Sequence, residues 1–314
     1  MEKIRVGVIG LGSIAHIAEL PALSEIPEAQ IVAAFDRSPE ALEKAAAKYN
    51  IETLHTDFNE FMKIEMDCAF VMTPKTLHTP FVTALLEKGI DVFCEKPIAQ
   101  SLKEGKMMVE LAKKHNRIFM IGFNRRYAPV YQKAKEAFAG RTPDVFLAQK
   151  SRNGSEYHAT LENAIHMVDL MRWFCGEPVT VEAHSQYTDI DKETTCTAQI
   201  TFDTGAIGIL VANRGAGQWI EKAEIYGGGQ TAIVNAPDYV TVVKPDYEET
   251  VSMTPLALGW ARVQDKMGFC QEVQHFIECV KTRTQPITNA EDAFKTHELM
   301  NRILLAAGLP GMDE

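Results

Sequence analysis

Ile4-Arg5-Val6-Gly7-Val8-Ile9-Gly10-Leu11-Gly12-Ser13-Ile14-Ala15 is a β-branched apolar run that passes directly into G-x-G-x-x-A. The run reads as a strand, and the pattern after it predicts a helix from about Ser13 to Ile26. Gly10 permits a tight turn, Gly12 lets backbone approach a pyrophosphate, and Ala15 allows close helix–strand packing. Ser13 and Ile14 stand at the helix start, where amide donors and the positive dipole end face an anion. Glycine turns after strands are common, so the motif gains its weight from the strand and the acid downstream of it.

A second apolar strand, Gln30 to Phe35, ends at Asp36, 24 positions beyond Gly12. A ribose-binding carboxylate belongs at about that distance. Asp36 would accept bonds from ribose hydroxyls and repel a 2′-phosphate, which favours NAD. Arg37 and Ser38 follow directly and can hold a phosphate, so NADP stays possible. Asp36 can alternatively cap the next helix, although Ser38 is the better N-cap because Pro39 then falls at the first helical position.

The alternation continues with a helix at Pro39 to Tyr49 and a strand at about Asp67 to Met72. Thr73-Pro74 ends that strand, and His78 opens the helix that Gly89 terminates. Asp91 to Cys94 is the next strand, running into Glu95-Lys96-Pro97. Ser101 with Glu104 forms a capping box for a helix to His115, and Arg117 to Ile121 closes the set. Strands alternating with helices predict βαβ units and a parallel sheet. Ligands bind outside the carboxyl ends of such strands. Thr73, Pro74, His78, Glu95 and Lys96 therefore join Gly10, Gly12, Ser13, Ile14, Asp36 and Arg37 as candidate cofactor contacts. For His78 a helix-start role is the commoner one. Lys96 is either a group aimed at the ligand or a surface lysine before a helix.

The 314 residues allow two domains, and 46% hydrophobic residues allow a sizeable core. With 32 basic and 42 acidic residues the net charge is −10, which argues against nucleic-acid or anionic-membrane partners. The six cysteines form no C-x-x-C pair and most sit in apolar runs, so buried thiols are expected and no metal site. There is no signal-peptide shape and no apolar run of membrane-spanning length. A cytoplasmic protein is the expectation.

Gly122-Phe123-Asn124-Arg125-Arg126-Tyr127 ends the alternating part. The two arginines either bind an anionic or polyhydroxyl substrate or pair with acids across the domain junction. From about Pro143 the pattern changes to a strand (Asp144 to Lys150), a polar segment (Ser151 to His158) and a helix (Ala159 to Phe174). A succession of strands follows to about Val243, with Asp203-Thr204-Gly205 as a hairpin signal. The expected architecture is a doubly wound parallel sheet over residues 1–122. Residues 123–314 form an α+β domain with a large open, mostly antiparallel sheet. In Thr195 to Phe202 the apolar residues alternate with Thr195, Thr197, Gln199 and Thr201, leaving a face for solvent or a second subunit. Phe269, Val273, Phe276, Ile277 and Val280 mark an amphipathic helix, and Thr288 with Glu291 a capping box for the last one.

On the helix Ala159 to Phe174, Glu162, His166, Asp169 and Trp173 recur at helical spacing on one face. Buried without partners such a stripe is costly, so it faces solvent or a polar cleft. The upstream loop, with Asn153, Tyr157 and His158, fits the edge of a site.

Gly10-Leu11-Gly12, Asp36, Thr73-Pro74, Glu95-Lys96-Pro97, Gly122-Phe123-Asn124-Arg125-Arg126 and His166-x-x-Asp169 occur in the order seen in the Gfo/Idh/MocA oxidoreductases. The chain resembles that family over essentially its whole length, and Gly268 to Val280 looks most like its MviM-like branch. The resemblance implies hydride transfer between a nicotinamide and a sugar, polyol or related carbinol. Lys96 matches the family's catalytic lysine and His166 its catalytic histidine. Glu162 stands where the family often has aspartate and would orient the imidazole. Asn153, Tyr157, His158, Arg125 and His166 are the expected substrate contacts, and Asp169 is the expected structural partner. A homodimer or homotetramer through the open sheet is expected. The rival expectation is a nicotinamide-binding sensor that regulates a partner without turnover.

Overall fold

The structure is a computed structural model that describes residues 3–154, 159–188, 192–253 and 262–313. The apolar runs of the first half become six parallel strands: β1 (Ile4–Ile9), β2 (Ala29–Phe35), β3 (Thr53–His55), β4 (Cys68–Val71), β5 (Asp91–Glu95) and β6 (Phe119–Gly122). Their order is β3-β2-β1-β4-β5-β6. Val6 to Ile9 pair with Cys68 to Val71 on one side, and β1 pairs with β2 on the other. The order therefore reverses at β1, and a crevice opens at the carboxyl ends of β1 and β4. β4, β5 and β6 are wholly buried, as strands covered on both faces must be. The three-residue β3 was not foreseen, because so short an edge strand leaves no periodic pattern.

Local signals fix the helix starts. Ser38 Oγ accepts from Ala41 N at 3.2 Å with Pro39 at the first helical position. Ser101 Oγ accepts from Glu104 N at 3.2 Å and opens Leu102–Lys114. The last helix, Ala290–Ala306, is capped by Asn289, whose Oδ1 accepts from Asp292 N at 3.0 Å. Thr288, expected in that role, is buried and gives its carbonyl to Ile121 N.

The chain divides into two compact units, and the cut is not single. The first contains Met1–Phe123, Val263–Asp265 and Phe269–Phe294; the second contains Asn124–Arg262, Lys266–Gly268 and Lys295–Glu314. A tail segment thus rejoins the first unit, where the sequence pattern alone keeps everything from residue 123 together. The apolar stripe of the helix Phe269–Thr282 explains it. Phe269, Val273, Phe276, Ile277 and Val280 are all buried. The Phe276 ring stands edge-on to Phe70 of β4 at 5.2 Å and 5.8 Å from Phe93 of β5.

The second unit carries an eight-stranded sheet: β7 (Val145–Asn153), β8 (Pro178–Tyr187), β9 (Glu193–Phe202), β10 (Ile207–Asn213), β11 (Gly215–Gly227), β12 (Gln230–Asn235), β13 (Tyr239–Lys244) and β14 (Tyr247–Ser252). Their order is β14-β13-β12-β11-β7-β10-β9-β8. Only β7 and β10 run parallel; the other neighbours are antiparallel. β7 extends through Asn153, so the start of the expected polar loop is strand. The long β11 and the final β14 were missed in part or whole, because Gly215-Ala216-Gly217-Gln218 and Tyr247-Glu248-Glu249 carry no apolar alternation. Cys196, Ala198, Ile200 and Phe202 of β9 are buried, whereas Thr197 and Gln199 are exposed on the other face. Among the described residues no helix is long and apolar enough to cross a membrane.

Candidate active site

In the first unit the glycine turn is built by exclusion. Gly10 has φ +87°, and a Cβ there would stand 2.8 Å from Thr73 Cγ2 and 3.0 Å from the Met72 backbone. Any side chain would drive β1 and β4 apart at the crevice. Gly12 is the opposite case, for a Cβ there would meet nothing within 4 Å. Its missing side chain is open room above the backbone, and a phosphate group can use that room.

Asp36 is built into the glycine turn. Its Oδ2 accepts from Leu11 N at 2.8 Å and its Oδ1 from Ser38 N at 2.9 Å, which ties the glycine turn to the end of β2. A carboxylate has about four acceptor positions, so two remain for hydroxyl donors. The crevice holds about 190 Å³ between Gly10, Gly12, Asp36, Arg37, Thr73 and Pro74, with Phe35, Leu77 and Phe81 as apolar walls. The Thr73 hydroxyl is buried and meets no partner among the described residues. Ser13 is exposed and Ile14 half-buried where the helix begins. An open cradle, a placed carboxylate, apolar walls and an unmet hydroxyl fit a dinucleotide. When bound, NAD would supply the hydride acceptor.

His78 and Glu95, expected beside the cofactor, both take main-chain partners. His78 is fully buried, with Nδ1 2.8 Å from Pro97 O and Nε2 2.9 Å from Thr73 O. It braces the loop after β4 against the loop after β5. Burial lowers its pKa most, the two carbonyls oppose that, and the nearby charge of Lys96 adds to the lowering. Glu95 is 8% exposed and turns its Oε2 back to the amide N–H of Lys96, at 3.2 Å. Lys96 itself is half-buried at the end of β5.

In the second unit, the helix expected over 159–174 begins as a π-turn, Ala159–Ala164, and becomes α over Ile165–Cys175. π-turns recur at functional sites because the extra residue re-aims the side chains around it. Glu162 lies half-buried in the π-turn and His166, 7% exposed, in the first α-turn. The turn is clamped from β9: Glu193 accepts from Thr160 N and Thr160 Oγ1, each at 2.7 Å, and from Ser185 Oγ at 2.6 Å. Asn163 Nδ2 donates to Lys150 O at 3.0 Å, tying the turn to β7.

Asp169 is fully buried and grips Arg126 bidentately, at 2.7 and 2.6 Å, while Thr296 Oγ1 donates to it at 3.0 Å. That is the structural role expected of it. Arg125, expected at the substrate, is held by Glu221, with Nε and a terminal nitrogen at 2.8 and 3.0 Å. Both arginines therefore pair with acids of their own unit. Glu221 also binds Lys150 and accepts from Tyr131 Oη at 3.4 Å. The Lys150 ammonium lies 4.9 Å from the centre of the Trp219 ring, and Trp219 is 42% exposed. Asn153 is exposed at the end of β7, and Tyr157 and His158 lie outside the described residues.

Lys150, Glu221 and Glu19 were missed by the sequence reading, yet a signal existed. Glu221 falls in phase with Ala223 and Ile225, and Glu19 in phase with Ala15, Ala18, Ala22 and Leu23. An acid at an apolar position announces a buried partner. Among the described residues no three His, Cys, Asp or Glu side chains converge as metal ligands. Burial raises the thiol pKa of Cys68 and Cys94, which keeps them poor nucleophiles.

Comparison with known proteins follows the same division. Residues 4–123 match an oxidoreductase family with an NAD-binding Rossmann fold, and residues 138–232 match the GFO/IDH/MocA C-terminal domain. Myo-inositol 2-dehydrogenase of Thermotoga maritima is 28% identical over 310 residues, 92% of each chain. scyllo-Inositol 2-dehydrogenase (NAD(+)) of Bacillus subtilis is 26% identical over 325 residues, 93% of this chain and 90% of that one. The solved dehydrogenase MviM of Clostridium difficile is 24% identical with a TM-score of 0.87, over 97% of this chain and 100% of that one; this is a likeness of fold.

Proposed function

Because the chain belongs to the Gfo/Idh/MocA family of NAD-binding oxidoreductases, we propose that its substrate is a cyclitol, sugar or related polyol and that Lys96 and His166 handle the proton. The carrying observation is the crevice, where an open Gly12 cradle and the Asp36 carboxylate stand at the same sheet as the strand that leads into Lys96. The relatives that act on inositols favour a compact polyhydroxyl substrate and favour catalysis over a sensor.

As hydride leaves a carbinol carbon, its hydroxyl proton must leave as well. Lys96 or His166 accepts it, and the other stabilises the developing oxyanion. A lysine with an ordinary pKa of about 10.4 serves as base near neutrality only where its surroundings lower that value. Histidine needs no such help. Glu162 orients the imidazole from the π-turn. Arg125 acts through Glu221, positioning Lys150 and Trp219 rather than touching substrate itself. Asn153 is an exposed polar contact for substrate hydroxyls, and Tyr157 and His158 remain proposed contacts. Ser13, Ile14, Arg37, Thr73 and Pro74 line the cofactor, with NAD preferred over NADP by Asp36.

The uncovered sheet face, with Thr197, Gln199, Ile207 and Ile209 exposed on adjacent strands, suits a second copy of the chain. We place the protein in the cytoplasm, where thiols outside disulfides are stable. The test is NADH formation from NAD⁺ with pooled inositols, sugars and polyols, beside Lys96→Met. Signal in the wild type alone supports the reading. A variant with near-normal turnover removes Lys96 from the mechanism. Binding of NAD without any turnover returns weight to the sensor.

A further inference from the structure

The first helix of the dinucleotide-binding unit is interrupted by a π-turn, Ala15–Glu19, directly after the glycine turn. The extra residue swings Glu19 inward. It is 1% exposed, and among the described residues neither of its carboxyl oxygens meets a hydrogen-bond donor. What those oxygens face is the carboxyl group of Glu95. Room for that second carboxyl comes from β6. Glu95 pairs in register with Gly122, and a Cβ at Gly122 would lie 3.4 Å from Glu95 Cδ and Oε1. Two buried carboxylates in contact repel, and neither accepts a bond from the other unless one carries a proton. Glu95 in turn accepts from the amide N–H of Lys96 at 3.2 Å.

We infer that Glu19 and Glu95 hold one proton between them, and that this monoanionic pair positions Lys96 and sets the charge it experiences. The second half of the inference rests on the reading of Lys96 as a proton-transfer group. Burial, followed by the charge and hydrogen bond of Glu95, raises the Glu19 pKa far above the carboxylate range. Other titratable groups lie on the elements around the pair. Cys94 precedes Glu95 on β5 and stays a thiol, pushed up by burial and by Glu95. Glu272 is buried on Phe269–Thr282, the helix packed against the π-turn. His78 lies across from Pro97. The shared proton gives Glu95 a donor on one side while its Oε2 keeps the Lys96 amide on the other. Doubly ionised, the pair would push Glu95 away; doubly protonated, it would itself present no negative charge to Lys96. Glu19 is thus a positioning residue, acting through Glu95.

Two measurements on the full chain test this without any substrate. The first is the infrared difference spectrum, at neutral pH, between wild type and the isosteric Glu19→Gln. The amide of that variant replaces the shared proton as donor. The expected result is one protonated-carboxyl band in the wild type that vanishes in the variant. No band difference overturns the shared proton. The second is an NMR titration of the Lys96 ε-position, identified by its loss in Lys96→Arg, in wild type, Glu19→Gln and Glu19→Leu. Glu19→Gln keeps one negative charge beside Lys96 and should leave its pKa in place. Glu19→Leu removes the other acceptor of the shared proton, which then stays on Glu95, so the Lys96 pKa should fall by about one unit. Identical titrations in all three overturn the positioning role. Absence of turnover with every polyol, by contrast, would count against the dehydrogenase reading and leave both of these results standing.

Discussion

The two units build polar sites by opposite means. In the first, the groups at the crevice are held by main-chain partners: Asp36 by the amides of Leu11 and Ser38, His78 by the carbonyls of Thr73 and Pro97, Glu95 by the amide of Lys96. In the second, charged side chains hold one another in buried pairs, Arg125 and Lys150 on Glu221, Arg126 on Asp169. The parallel sheet ends all its strands on one side, so loop amides and carbonyls converge there and supply partners cheaply. The antiparallel sheet spends its main-chain groups within the ladder. Its helix-covered face must satisfy charge with opposite charge. The first arrangement leaves a lysine adjustable, and the second fixes a surface.

That contrast can be broken. Replacing Lys96 by Met should cut kcat at least about a hundredfold while NAD affinity and thermal stability stay within error, as expected for a proton-transfer group outside the framework. Comparable loss of stability would make Lys96 a framework residue like those of the second unit. Glu221→Ala should do the reverse. Removing the carboxylate that Arg125 and Lys150 share should cost about 3–5 kcal/mol in denaturant unfolding. A cost below about 1 kcal/mol would show that the cluster is solvated and that the two units do not differ as described. Gly12→Ala should leave the melting temperature unchanged and weaken NAD binding about tenfold or more, because the added methyl meets only the space left for phosphate.

The smallest effect sharpens the comparison at the surface. Glu177 pairs with Arg172 and Lys295, at 2.9 and 3.0 Å. Burial alone would raise its pKa, but the bonds and charges of both partners outweigh it and bring the pKa below 4.5. A depressed carboxylate contributes stability above its unfolded pKa and loses it as pH falls through the folded value. Glu177→Gln should therefore flatten the stability profile below about pH 4.5 and change it by no more than about 1 kcal/mol at neutrality. A variant whose acid profile matches the wild type would show the pair to be idle.

The same contrast governs what could be read in advance. Gly10, Gly12, Asp36, Ser38 and Lys96 act on neighbours in the chain or at strand ends, and local spacing announces them. The alternation of strands with helices and the alternating faces of β9 followed from periodicity alone. Glu221 and Lys150 are separated by 71 positions, and Arg126 and Asp169 by 43. No local pattern encodes such pairings, and the two arginines accordingly stood open between substrate and acids. The π-turns escaped as well, since an extra residue in a helix shifts phase without changing composition. Glu162 was thereby placed on a regular face that the backbone does not have.

The return of Phe269–Thr282 to the parallel sheet has a consequence for how the chain acquires its shape. Phe276 completes the cluster of Phe70 and Phe93, and about two hundred residues separate it from them. A nascent chain leaving the ribosome presents that aromatic surface long before its cover is synthesised, and such exposed surface is what invites chaperones. The dinucleotide-binding half begins first and is finished almost last, so the antiparallel half is free to fold inside an open bracket.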